Sequence, residues 1–180
     1  ITGGGAVYHD YNGEVTYCVV ASPKSYPVPD DIVESYRVFC AGLVKALKRL
    51  GLPAEFKPVN DVVVRGRKIS GSAQTRRWGV VLQHGTLLFN TNLDVLFSVL
   101  KIPTEKIKDK GIKSVRERVT TVSRELGRPV SAEEVKNAMV KGFEEALGVR
   151  LKPGGLTEYE LELARKLEEK YRSKEWIYRR

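Results

Sequence analysis

Residues 60–86 read NDVVVRGRKISGSAQTRRWGVVLQHGT, and this run decides how the rest of the chain is arranged. Asp61 to Arg65 carries three successive β-branched residues, Val62, Val63 and Val64, which favour a strand. Arg65-Gly66-Arg67 supplies a turn in which Gly66 can take a positive φ. Lys68-Ile69-Ser70-Gly71-Ser72-Ala73 reads as the return strand, dissolving into a small-residue loop. A second extended run, Gly79 to Asn90, sets Val80, Val81, Leu82 and Leu87, Leu88, Phe89 on either side of a polar centre, Gln83-His84-Gly85-Thr86. A hairpin that brings one lysine into a loop of Ser, Gly and Ala can place a cation and bare backbone N–H groups beside an anion. Spacing alone leaves another reading open. A lone lysine at a hairpin end is commonly a solvated surface charge, and Ser-Gly-Ser is commonly only a turn. His84 by itself reads more readily as a structural histidine than as a catalyst.

Outward from this run, the first ten residues, ITGGGAVYHD, put three glycines before an apolar pair and a histidine. Asn12-Gly13 is a strong two-residue hairpin signal, which predicts a turn between strands at 5–9 and 14–20. Cys18 falls on the second of these and reads as a small core residue. After a Pro-containing loop, Pro29-Asp30-Asp31 opens a helix whose apolar positions keep a 3.6 period to the terminating Gly51. Ala54 to Lys57 is a short strand. Asn60-Asp61 could hold a magnesium ion, although an Asx-type turn explains the pair locally. Helical patterns follow at Asn92–Leu100 and, for a turn, at Thr104–Lys110. Arg116 and Arg118 sit on a polar loop and suit surface ion pairs. Ser131-Ala132-Glu133-Glu134 and Thr157-Glu158-Tyr159-Glu160 are capping boxes opening two helices, the first closed by Gly148. Val149 to Leu151 reads as a short strand between them, and Ser173 caps a last turn containing Trp176.

The 180 residues suit one domain able to bury roughly 70% of its unfolded surface. Apolar content of 42% and charged content of 29% are those of an ordinary globular protein. Neither a bilayer-spanning apolar run nor a signal-peptide pattern is present, and two scattered thiols suggest no zinc site or disulfide framework. A cytoplasmic location without membrane association is expected. The net charge of +9 raises the possibility of nucleic-acid binding. However, the basic residues are interleaved with glutamate on helix faces and no nucleic-acid-binding signature is present, so no such partner is expected.

NDVVVRGRKISGSAQ, HGTLLFN, GGGAVYHD and KSVRERVT (113–120) together resemble lipoate–protein ligases, the lipoyl branch of the biotin/lipoate ligase superfamily. The blocks stand in the family's order, and the similarity runs over nearly the whole chain. What the resemblance implies is an α/β (α+β) catalytic domain over residues 1–180, with a mixed, mostly antiparallel sheet and closing helices at 157–180. It also implies ATP-dependent ligation of lipoate, through lipoyl-AMP, to a lysine of a lipoyl carrier domain. Such domains belong to 2-oxoacid dehydrogenase complexes and the glycine-cleavage H protein. ATP and Mg2+ are the implied cofactors. Lys68 is carried over as the catalytic cation, bridging acyl carboxyl and α-phosphate. Gly4, Gly5, Ala6, Val7 and Tyr8 are carried over as nucleotide contacts, and His9 as a lining of the acyl pocket. Asn60 and Asp61 follow, Asp61 as the magnesium ligand. Ser70, Gly71, Ser72 and Ala73 contribute backbone N–H groups, while His84, Gly85 and Thr86 form the wall near the nucleotide. Asn12-Gly13 inverts the family's usual Gly-Asn order. The chain also opens without Met inside a family motif, so an N-terminal part of the family domain is expected to be missing. No second domain follows Trp176, which suggests a separately encoded accessory protein.

Other readings lie close by. A lipoyl or octanoyl transferase of the same superfamily uses a cysteine nucleophile and no ATP. Its cysteine falls upstream of the lysine loop or beside the HG block, and residues 51–60 and 77–83 contain none, which favours a ligase. A biotin ligase carries a different Gly-Arg-Gly signature. A non-catalytic carrier-binding or nucleic-acid-binding module is the remaining class.

Overall fold

The computed structural model describes residues 2–100 and 116–179. The turn expected at Thr104–Lys110 lies outside these residues. Two compact units are present, Ile1–Arg150 and Leu151–Arg180.

In the first unit the central run forms two hairpins in succession. β3 (Asp61–Val64) turns at Arg65-Gly66 into β4 (Arg67–Arg77), which turns at Trp78-Gly79 into β5 (Val80–Leu88). Both turns place two successive residues at positive φ, 49° and 75° in the first, 54° and 74° in the second, the twist that suits a tight hairpin. β1 (Glu14–Ala21) pairs with β5, and β2 (Ala54–Lys57) pairs with β3. The order is β1-β5-β4-β3-β2, antiparallel at every pairing. A single parallel bridge, Lys68 to Val119, adds the mixed element.

Between β1 and β2 runs α1 (Ile32–Arg49), capped by the Asp31 carboxylate, which accepts from the Glu34 N–H. α2 (Leu93–Val99) and α3 (Val122–Leu126) follow β5, and then α4 (Ala132–Leu147), which begins at Ser131 and ends at Gly148 with φ 64°. α1 and α4 pack together against one face of the sheet. Phe39, Leu43, Leu47, Val62, Ile69, Leu87 and Val135 are fully enclosed there. Burial of each such side chain contributes roughly 1.5–3 kcal/mol. The second unit consists of α5 (Glu158–Arg172), opened by the expected Thr157/Glu160 capping box, and α6 (Lys174–Ile177), capped by Ser173. Among the described residues no helix is long and apolar enough to cross a membrane.

Four local expectations are corrected. Residues 2–10 form no strand, so Asn12-Gly13 joins no hairpin. Instead the Gly13 and Glu14 N–H groups return to the Asp10 carbonyl, and Gly13 O accepts from Phe89 N, Asn90 N and Thr91 Oγ1. Tertiary hydrogen bonds fix this turn rather than the local dipeptide preference. Val149 to Leu151 is likewise no strand. Lys68 to Ala73 is not a loop: β4 runs through it, pairing with β3 as far as Gly71 and with β5 from Ser70 onward. Cys18 is exposed rather than in the core. β1 buries its odd positions Val15 and Tyr17, and Cys18 is out of phase with them.

Candidate active site

Strand alternation decides which face each side chain joins, and one irregularity sets the position of the lysine. On β4, Val62 is opposite Ser70 but Val63 is opposite Lys68, so Ile69 is an extra residue, a β-bulge. Ser70 and Ser72 point into the protein. Regular alternation would send Lys68 inward with them. The bulge shifts the phase, so that Ile69 enters the core fully buried and Lys68 emerges on the opposite face with its side chain 44% exposed. The backbone freed at the bulge is taken up by the segment before α3. Lys68 N–H donates to Arg118 O at 2.7 Å, and Thr120 N–H donates to Lys68 O at 2.8 Å. Arg118 to Thr120 therefore serve through their backbone, as a short parallel splint on Lys68. Arg116 makes the expected surface ion pair, with Asp94 at 3.3 Å.

Lys68 then lies back across Gly71. A Cβ at position 71 would stand 2.9 Å from the lysine Cε and Nζ, so only glycine leaves this trough open. Nζ reaches Asp61 Oδ1 at 2.5 Å. Asp61 is opposite Gly71, Gly71 opposite Thr86, and Thr86 opposite Thr16, one row across four strands. The neighbouring row holds Ala73, His84 and Cys18. His84 Nε2 lies 2.7 Å from Thr2 Oγ1, which ties the N-terminal segment to this face.

Beneath the site, on the face toward the helices, is a closed polar network. Gln83, fully buried, donates to the Tyr17 hydroxyl at 2.9 Å and to Cys40 Sγ at 3.6 Å, and accepts from Gln74 Nε2 at 3.1 Å. The Tyr17 hydroxyl in turn lies 2.7 Å from Ser72 Oγ. Burial pushes the phenol far above its ordinary range, outweighing the hydrogen bonds with Ser72 and Gln83, so the hydroxyl keeps its proton. Gly85 leaves room for this ring, since a Cβ there would stand 2.4 Å from Gly71 O and 2.9 Å from Tyr17 Cε1. Asn60 clamps the same strand, donating to Ser72 O at 2.6 Å and accepting from Ser72 N at 3.0 Å.

The expected residues thus divide. Lys68, Asp61, Gly71, Ala73, His84 and Thr86 meet on the outer face. Ser70, Ser72 and Gly85 lie on the inner face, and the Ser72 N–H is committed to Asn60 rather than to a bound anion. Gly4, Gly5, Ala6 and Val7 are exposed and outside any strand, Tyr8 is half-buried, and His9 Nδ1 meets Glu14 Oε1. Asp61 is neutralised by Lys68, and the Asn60 amide is turned to the backbone. Among the described residues no three His, Cys, Asp or Glu side chains gather as a metal site. Sequence reasoning missed Glu14, Thr16, Tyr17 and Gln83, although the alternation in EVTYCVVA was a signal for the first three. A surface depression of about 570 Å³ around Thr91, Thr121 and Arg124 includes none of the expected residues.

An open antiparallel sheet with a lysine laid over glycine, backed by two helices, defines the class: a lipoate/biotin ligase fold handling an acyl group. The structure of a bipartite lipoate protein ligase from Thermoplasma acidophilum superimposes with a TM-score of 0.83 at 42% identity, over 97% of this chain and 67% of that one. The family model for the lipoyl protein ligase A/B catalytic domain matches residues 1–144, and the chain belongs to that family. The octanoyltransferases LipM of Kyrpidia tusciae and Brevibacillus brevis are 43% and 37% identical, each over 99% of this chain and 73% of its own length. These matches overturn the expectation of an ATP-dependent ligase working through lipoyl-AMP. That expectation gave the positions of two cysteines more weight than similarity along the whole chain. The protein is an enzyme of the lipoyl and octanoyl ligase–transferase family.

Proposed function

We propose that this protein is an acyltransferase that moves an octanoyl or lipoyl group onto the ε-amino group of a lysine in a lipoyl carrier domain, without consuming ATP. The observation that carries the reading is the likeness to octanoyltransferases over 99% of the chain. A transfer without ATP needs an acyl group already activated, and a thioester is the natural donor. The amine attacks the thioester carbonyl, the carbon–sulfur bond breaks, and a thiol and an amide are released. Negative charge develops on the carbonyl oxygen, and Lys68, held over Gly71, offers a fixed cation for it.

A covalent cysteine intermediate is not part of this proposal. Cys40 is fully buried beneath the sheet, and burial raises its thiol pKa. Cys18 is exposed, but two strand spacings and a two-residue step separate it from Gly71, roughly 12 Å. That is too far for Lys68 to serve a carbonyl attached there. The acyl group therefore passes directly from donor to lysine. The test supplies octanoyl thioester and a lipoyl carrier domain without ATP and follows the mass of the domain. A gain of one octanoyl group supports the proposal. Acylation only from free octanoate with ATP would reject it.

A further inference from the structure

At the head of β1 lies a pocket of about 330 Å³ lined by His9, Asp10, Tyr11, Glu14 and Thr16. Its floor is a carboxylate in an unusual setting. The Glu14 side chain is only 5% exposed, yet it alternates with Val15 and Tyr17 and so belongs to the face that carries Lys68. One oxygen, Oε1, meets His9 Nδ1. The other, Oε2, is buried and has no hydrogen-bond partner among the described residues. A buried acceptor left open is costly unless something comes to fill it. Asp10 cannot be that partner, since both are acids and its oxygens are committed to Asn12 N and Asn92 N. What fits is a donor, and a cationic one fits best.

The pocket's place in the sheet says which cation. Thr16, in its wall, is opposite Thr86, and Thr86 is opposite Gly71, over which the Lys68 ammonium lies. Two strand spacings, roughly 9.5 Å, separate Thr16 from Gly71. An acyl carbonyl held by Lys68 over Gly71 and an amine in the pocket beside Thr16 would thus lie in one row of the sheet, on the same face. With Nδ1–H given to Glu14, the His9 ring keeps its lone pair on Nε2, and its side chain is 64% exposed and so accessible.

We propose that this pocket receives the ε-amino group of the acceptor lysine, drawn in by the Glu14 carboxylate, and that His9 Nε2 takes the proton the nitrogen sheds as it attacks the thioester. The inference rests on the acyl-transfer reading above. A lysine amine arrives as an ammonium ion and is no nucleophile until a proton has gone to solvent. On attack, nitrogen bonds to the carbonyl carbon, the carbon–sulfur bond breaks, and the second proton passes through His9 to the departing thiolate. Glu14 holds the ring in the required tautomer and offsets its charge while it is protonated.

The experiment compares wild type, His9→Gln and Glu14→Gln with two acyl acceptors, the carrier-domain lysine and hydroxylamine, which is uncharged at neutral pH. With lysine, His9→Gln lowers kcat by about 10²-fold or more, the ordinary contribution of a general base, and leaves the KM for the thioester little changed. With hydroxylamine the His9→Gln deficit persists, since that nitrogen also sheds a proton on attack, while the Glu14→Gln deficit seen with lysine narrows. A Glu14→Gln deficit equal with both acceptors, or undiminished lysine acylation by His9→Gln, overturns the inference. A binding measurement separates its failure from failure of the transferase reading. Wild type should bind the carrier domain more tightly than a version whose acceptor lysine is replaced by glutamine, and Glu14→Gln should erase the difference. If wild type makes no such distinction, the pocket is not the lysine's, whatever the acyl donor proves to be.

Discussion

The two faces of the sheet are made by the same strands and solve opposite problems. Toward α1 and α4, polar side chains that cannot reach water complete one another: Gln83 uses three of its contacts within a single ring of Tyr17, Cys40 and Gln74. On the other face the polar groups are left short of partners. Among the described residues Lys68 has one ion pair, with Asp61, and Glu14 has one oxygen free. The ring around Gln83 is closed on itself, whereas the outer face offers Lys68 and Glu14 to substrate; Ser70 Oγ is the exception on the inner face, buried without a hydrogen-bond partner among the described residues. The close backbone approaches at Gly71 and Gly85 serve both, Gly71 making the lysine trough and Gly85 the space for Tyr17.

The sharpest way to break this contrast is Lys68→Ala. It should lower octanoyl transfer by roughly 10²–10³-fold, as does removal of a group that stabilises a developing oxyanion. The unfolding midpoint should barely move, because the side chain is solvated and buries little surface. A large loss of stability would mean that Lys68 is structural and the two faces are less separate than described.

Gln83→Leu is the mirror experiment. It strands the Tyr17 and Gln74 polar groups in the core, with an expected cost of about 1–3 kcal/mol by denaturant unfolding. Activity per folded molecule should fall much less. If activity collapsed while stability held, the network would be part of the chemistry.

The third prediction concerns the strut between hairpin and splint. Glu125, whose side chain is fully buried, meets Arg65 and Arg67, each at 2.7 Å, and accepts from Thr120 Oγ1 at 2.6 Å. Burial works to raise its pKa, but the Thr120 and Arg65 hydrogen bonds and the charges of Arg67 and Arg65 outweigh it and hold the carboxyl below its ordinary value. A carboxyl whose folded pKa is depressed stabilises the fold above its unfolded pKa, and that contribution is lost as pH falls through the folded pKa. Stability should therefore decline on acidification below the ordinary carboxylate range, and Glu125→Gln should flatten that limb. An unchanged limb would remove Glu125 from the account.

The smallest effect is expected at Cys18→Ala. Transfer should persist, and stability should shift by no more than about 0.5 kcal/mol for an exposed position. Octanoate found as a thioester on Cys18, with transfer lost in the variant, would replace direct transfer by a two-step route.

The sequence by itself determined the first hairpin and the helix ends. Three adjacent valines, Arg65-Gly66, Asp31, Ser131, Thr157 and Gly148 act through neighbours a few residues away, and such effects are legible in a linear string. The family resemblance also named Lys68, Asp61 and Gly71 as site residues; that Lys68 pairs with Asp61 across Gly71 was not foreseen. What the sequence did not contain was the phase of β4. Whether Lys68 points into the core or out of it depends on one extra residue, Ile69, and a bulge is visible only when β3 is laid beside β4. Pairing across strands depends on register, and register is a property of two segments at once. For the same reason Asn12-Gly13 read as a hairpin when its hydrogen bonds go to residues 89–91, and Glu14 read as an unremarkable strand start. Only the tertiary structure set that carboxylate beside His9 and one row along from Lys68's, because burial, partnership and distance exist only after the chain has folded back on itself.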